Sequence, residues 1–242
     1  HSHIFSDTIP NCVSYDPTLA YEVAVIVQDG IRRMVAEQED VFYYITTLNE
    51  NYEHPGLPEG AEEGIKKGMY LLREGDPSAK GARVQLLGCG SILREVMAAA
   101  DLLRDDWGVT TDVWSCPSFT ELGREAQDVE RWNLLHPTET PRKSWVERCL
   151  GERQGPVVAS TDYIRMFANQ IRPYVRGTYR VLGTDGFGRS DYRKKLRHFF
   201  EVDRRWVTLA ALESLAKEGA VPRARVAEAI TKYGIDPEKP NP

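Results

Sequence analysis

Leu19, Val23, Ile26, Val27, Ile31 and Met34 recur at steps of three and four, a period that predicts a helix over residues 17–36. The compact apolar run 41–45 that follows reads as a strand. Residues 50–60 mix two prolines and two glycines with acidic side chains, which suits an exposed connection and marks a boundary between two units. An edge strand is expected at 68–72, and a second loose stretch at 73–82. Beyond it the pattern becomes regular. Strands are expected at 83–87, 112–115, 156–160 and 179–182, and helices at 91–107, 121–132, 143–150, 162–174, 204–218 and 222–233. This alternation predicts an α/β fold. In the 91–107 helix, Ile92, Leu93, Val96, Met97, Ala100 and Leu103 share one face and Arg94, Glu95, Asp101 and Arg104 the other, so one side lies on a sheet.

Composition narrows the classes. Hydrophobic residues make up 41% of the 242, enough for a sizeable core, and 31 basic against 36 acidic side chains leave a net charge of −5. That balance removes the field expected of a general nucleic-acid binder. No apolar run approaches the roughly 20 residues a membrane-spanning helix needs, so no membrane partner is expected. Cys12, Cys89, Cys116 and Cys149 form no CxxC pair, which argues against structural zinc and for reduced thiols in the cytoplasm. The first residue is His1 and the first methionine Met34, so a C-terminal piece of a longer chain is expected.

Candidate chemistry is sparse. Gly88-Cys89-Gly90-Ser91 stands where a strand hands over to a helix, a place where backbone N–H groups can hold an anion. A dinucleotide fingerprint would need a third glycine where Leu93 stands, and no P-loop lysine follows, so a tight turn with Ser91 capping the helix is the plainer expectation. The loop Thr184-Asp185-Gly186-Phe187-Gly188-Arg189-Ser190-Asp191 carries a phenylalanine with few local partners. It belongs either to the chain's own core or to a contact with another subunit, where aromatics and arginines are enriched, with Phe187 and Arg189 as the contact residues. His1 and His3, with Asp7 nearby, form the only local cluster of proton-transfer groups, against the alternative of solvated side chains at a terminus. His54, His136 and His198 are isolated and read as packing or surface residues. The basic run Arg193-Lys194-Lys195-Leu196-Arg197 reads as a solvated helix face. No metal-ligand spacing, nucleophile elbow or Walker motif is present. These features alone stop at an α/β protein with no self-contained active site.

The strings Tyr43-Tyr44-Ile45-Thr46-Thr47-Leu48-Asn49-Glu50-Asn51-Tyr52, Pro117-Ser118-Phe119-Thr120-Glu121-Leu122, Val129-Glu130-Arg131-Trp132-Asn133 and Leu182-Gly183-Thr184-Asp185-Gly186-Phe187-Gly188-Arg189-Ser190 resemble the homodimeric bacterial pyruvate dehydrogenase E1 components, and the likeness runs nearly the whole length. These are thiamine diphosphate enzymes of the transketolase type. The resemblance implies residues 1–57 as the end of a middle, pyrimidine-binding α/β domain. It implies residues 58–242 as a three-layer, transketolase-like C-terminal domain with a mixed sheet. It also implies an activity for the full chain: decarboxylation of pyruvate on thiamine diphosphate and reductive acetylation of a lipoyl group on the dihydrolipoyl acetyltransferase partner, by a homodimer. The GDG…N signature for Mg2+ and diphosphate and the glutamate that activates the cofactor are absent from these residues. No cofactor or metal is therefore expected to be held by them alone, and they are expected to be inactive alone.

Transketolase-like enzymes place a histidine near the substrate in an Asp-Gly-x-x-His stretch, which aligns with His3; His1 is its neighbour. Where transketolases offer an arginine for sugar phosphate, this chain has Thr46-Thr47-Leu48-Asn49, which fits an uncharged 2-oxo acid tail. The alternatives are a non-catalytic dimerisation or component-docking module, or the E1 of a related 2-oxo acid dehydrogenase.

Overall fold

A computed structural model describes residues 1–242. It opens with a short helix, α1 (Ser2–Asp7), and a strand, β1 (Cys12–Tyr15), in a stretch whose brevity hides both from periodicity. Then come α2 (Ala20–Ile31), a π-helical turn (Arg32–Ala36) and β2 (Phe42–Ile45). The helix expected over 17–36 is thus split. Its start moves to Ala20 because the Glu22 carboxylate turns back to accept from the N–H groups of Thr18 and Leu19, at 2.6 and 2.9 Å, which holds those residues outside the helix. Strands β1 and β2 run parallel as a two-stranded sheet, Tyr15 opposite Ile45.

After the acidic connection come α3 (Ala61–Lys67), β3 (Tyr70–Arg73), β4 (Arg83–Gly88), α4 (Leu93–Trp107), β5 (Thr110–Ser115), α5 (Phe119–Leu135), α6 (Trp145–Leu150), β6 (Val157–Ser160), α7 (Met166–Asn169) and β7 (Tyr179–Leu182). Three helices close the chain: α8 (Arg193–Phe199), α9 (Arg204–Lys217) and α10 (Ala224–Tyr233). The second sheet has the order β3-β5-β4-β6-β7. It is parallel except for β3, which pairs antiparallel with β5, so it is mixed.

Period-two alternation decides what each sheet face buries. On β4 and β6, Val84, Leu86 and Val158 enter a core with α4, α9 and α10, whereas Leu87, Val157 and Ala159 enter a second core with α5, α6 and α7. Two helix layers therefore cover the sheet, giving three layers. A third core, including Val13, Tyr15, Ile26, Ile65 and Tyr70, joins the β1–β2 unit to the second sheet through α3 and β3.

The helix expected over 162–174 is reduced to α7 and a 3-10 turn at Arg172–Tyr174. Thr161 Oγ1 accepts from the N–H of Tyr163, and the Thr184 hydroxyl donates to the carbonyl of Asp162, which commits 161–163 to a turn. The basic run is helical, as α8, but not solely a solvated face. Arg197 reaches Glu50 and Glu95, at 3.1 and 3.4 Å, and Arg193 donates to Asn49 at 2.5 Å, so this helix holds the 50–60 connection against the second sheet.

Candidate active site

Both sheets turn the C-terminal ends of their parallel strands toward the same region, where ligands bind in open α/β sheets. Asp16 follows β1, Thr46 follows β2, Cys89 follows β4, Thr161 follows β6 and Gly183 follows β7. Because Tyr15 and Ile45 are register partners, Asp16 and Thr46 emerge side by side, and the Thr46 hydroxyl donates to Asp16 Oδ1 at 2.6 Å.

α1 inserts His3 into this corner. The imidazole is wholly buried, stacked on Phe167 at 5.2 Å and edge-on to Tyr44 and Tyr163 at 5.3 and 4.8 Å. Its Nε2 lies 3.0 Å from Thr46 Oγ1, and its Nδ1 has no hydrogen-bond partner. Burial lowers the His3 pKa to about 4, so the ring is neutral near pH 7. Burial acts the opposite way on Asp16, raising its carboxyl to about 6 against the lowering effect of the hydrogen bond from Thr46. The Tyr163 phenol, 3.4 Å from Thr46 Oγ1, is pushed upward by burial and by the Asp16 charge.

Beside this corner opens a cavity of about 380 Å³ whose lining includes His1, Thr47, Asn49, Asp162, Arg189 and Arg193. His1 Nδ1 accepts from the backbone N–H of Ile164 at 3.3 Å. His1 and His3 therefore occupy different places. The first is on the cavity wall, exposed, and the second is sealed in an aromatic box.

The Gly88–Ser91 turn is filled by protein. A Cβ on Gly90, whose φ is +47°, would stand 2.1 Å from Asp16 Oδ2. A carboxylate thus occupies the hollow that an anion would need, and Ser91 does not cap a helix but donates to Asp162 at 3.1 Å. No three His, Cys, Asp or Glu side chains converge to hold a metal ion. The Gly88–Ser91 turn therefore does not fit a diphosphate.

Phe187 is 91% exposed, so the chain's own core does not take it. Asp185 anchors the loop through the N–H and guanidinium of Arg165, and the Arg189 guanidinium lies 5.4 Å from the Phe199 ring centre. The remaining histidines have local roles. His54 Nδ1 accepts from the N–H of Ala20 at the start of α2, His136 stacks on Trp132, and His198 pairs with Asp203. Sequence reasoning missed Asp16 and Tyr163 as site residues. The four-residue run Cys12–Tyr15 ahead of Asp16-Pro17 was the one available signal for a strand end at Asp16.

Residues 68–203 match the transketolase-like TK C-terminal domain family, and residues 1–55 match the pyruvate dehydrogenase E1 component middle domain. Curated proteins named pyruvate dehydrogenase E1 component align with the whole chain, at 67% identity from Cupriavidus necator, 63% from Pseudomonas aeruginosa and 60% from Escherichia coli K12. The chain spans 27% of the length of each. Among solved structures, transketolase from Campylobacter jejuni superposes with a TM-score of 0.60 over 87% of this chain and 27% of its own, at 19% identity. A structure described as a split gene transketolase, inactive beta4 tetramer, gives 0.52 over 87% of this chain and 59% of its own, at 16% identity. These two likenesses concern the fold.

Proposed function

The chain belongs to the transketolase-like C-terminal domain family, and from that membership, together with its E1 middle-domain match, we propose that it is the C-terminal part of a pyruvate dehydrogenase E1. In the full-length enzyme, pyruvate is decarboxylated and a lipoyl group of the dihydrolipoyl acetyltransferase component is reductively acetylated. Thiamine diphosphate, as the electron sink for that chemistry, and Mg2+ belong to the longer chain, not to these residues. Residues 1–57 are the end of the middle domain and 58–242 the C-terminal domain, a division supported by the two separate sheets. The family resemblance supports a cytoplasmic setting.

The role of this chain's own residues rests on one observation, the dry, neutral His3 at the strand ends with an unpartnered Nδ1. A buried acceptor left without a donor is costly unless a ligand supplies one. His3 is then the acceptor for a hydrogen bond or proton from the substrate, which reaches it only when the box of Tyr44, Tyr163 and Phe167 opens toward the cavity that His1 lines. In the full E1 chain, His3→Gln is expected to lower kcat of the overall reaction on the order of 100-fold, the usual scale of a positioned proton-transfer group, with thiamine diphosphate binding retained. Unchanged turnover would overturn the substrate-site reading.

A second reading, as a dimerisation surface, is favoured by the exposed Phe187 ring. The homodimer contact is then made through Phe187 and Arg189.

A further inference from the structure

Thr46 has one hydroxyl proton and four neighbours around that oxygen, one of which, the Tyr163 hydroxyl, donates to it at 3.4 Å. As a donor it faces Asp16 Oδ1 at 2.6 Å and, far less favourably, the carbonyl of Tyr15 at 3.4 Å. A carboxylate at the shorter distance takes the proton. Asp16 is ionised at neutral pH, since its carboxyl titrates near 6; the Cys89 thiol also faces it, and Asp162 and Glu22 lie further off. With its proton committed, the Thr46 oxygen can only accept. The 3.0 Å contact to His3 Nε2 is satisfied only if Nε2 carries the ring hydrogen.

We infer that Asp16, acting through Thr46, fixes His3 as its Nε2–H tautomer, so that the unpartnered Nδ1 is left as the ring's free acceptor. Asp16 and Thr46 are positioning residues. The inference rests on the substrate-site reading of His3 for its catalytic consequence, but the tautomer itself does not. The arrangement follows the logic of carboxylate-oriented imidazoles, with a hydroxyl interposed.

Four structural features hold the relay in place. The parallel register of β1 and β2 fixes the separation of its two ends. The backbone of Asp16 is tied on both sides, its N–H donating to Pro117 O at 2.7 Å and its C=O accepting from Gly90 N–H at 3.0 Å. Gly90 leaves room for the carboxylate where any side chain would collide with it. The aromatic box around His3 keeps out water that would otherwise serve as an alternative partner for either ring nitrogen.

The chain has five histidines, so selective 15N-histidine labelling gives a resolvable spectrum. At neutral pH the protonated ring nitrogen of His3 is expected to be Nε2 in the native chain and in Thr46→Ser, and the two tautomers are expected to mix in Thr46→Val. A proton on Nδ1 in the native chain or in Thr46→Ser would overturn the relay, as would an unchanged tautomer in Thr46→Val. In the full E1 chain, Thr46→Val is expected to lower kcat on the order of 100-fold. Thr46→Ser should recover most of that loss. Equal losses in the two variants would also overturn the relay. Full activity of His3→Gln, alongside an Nε2–H His3 in the native chain, would overturn the substrate-site reading alone.

Discussion

Ser115 Oγ donates to Glu22 Oε1 across 2.5 Å, joining the last residue of β5 to the first turn of α2. The same oxygen accepts from the Tyr70 hydroxyl at 2.7 Å, while Oε2 caps the helix through the N–H groups of Thr18 and Leu19. A fully buried carboxylate is tolerated here because four donors, from both units of the chain, converge on it.

Glu22→Ala therefore strands those donors in a dry site. The expected cost is about 3–5 kcal/mol in urea unfolding, against about 1–2 kcal/mol for Glu22→Gln, which keeps an acceptor oxygen. Equal stabilities of the two variants would show that the network does not bind the units together.

Gly90→Ala meets two obstacles, a positive φ and the Asp16 carboxylate 2.1 Å from the new Cβ. The backbone alone costs roughly 1–2 kcal/mol. A total of about 3–4 kcal/mol is expected, falling toward the backbone value when Asp16→Ala removes the carboxylate. Additive losses in the double variant would mean that the carboxylate is not what Gly90 accommodates.

The α/β class and most strands and helices of the second sheet were legible because each is long enough, or apolar enough, to show its period. Three short elements were not: α1, β1 and α3, of six, four and seven residues, are too short for a repeat. The 162–174 segment looks helical on polarity, yet turns at Thr161–Tyr163 through side-chain hydrogen bonds that leave no mark on periodicity. The site divides the same way. His3 was found by the resemblance of its stretch, while its burial and its partners depend on strand register between residues some thirty apart. Arg197 looked like one cation in a solvated run, but its acidic partners Glu50 and Glu95 lie about a hundred residues or more away in sequence.

His3 and Asp16 titrate with opposite effects on stability. His3 drops from 6.5 to about 4 on folding, so the unfolded chain binds its proton first. The stability it contributes is complete above pH 6.5 and is lost as pH falls toward 4, on the order of 3 kcal/mol. Asp16 rises from 3.8 to about 6, so its contribution is complete below pH 3.8 and is lost as pH rises through 6. Between pH 4 and 6 the two slopes oppose. Asp16→Asn removes one of them, and its unfolding free energy is expected to fall more steeply on acidification from pH 7 to 4.5 than that of the native chain. Parallel pH profiles would refute the assignment of these shifts.

Phe187 is held out from the fold by an anchored loop: Asp185 is tied to Arg165, and Gly186, at a φ of +83°, turns the chain just before the ring. An aromatic ring 91% exposed gives the chain's own core nothing, so Phe187→Ala should leave the melting temperature of this chain unchanged. At a subunit contact the same truncation removes a buried aromatic anchor worth about 2 kcal/mol or more, which weakens the dimer of the full E1 chain roughly 30-fold. Arg189→Ala should weaken it less, because that guanidinium already stacks on Phe199 within its own chain. Analytical ultracentrifugation of the full-length variants separates the possibilities. A dimer dissociation constant unchanged by Phe187→Ala would leave the ring as free surface and end the interface reading.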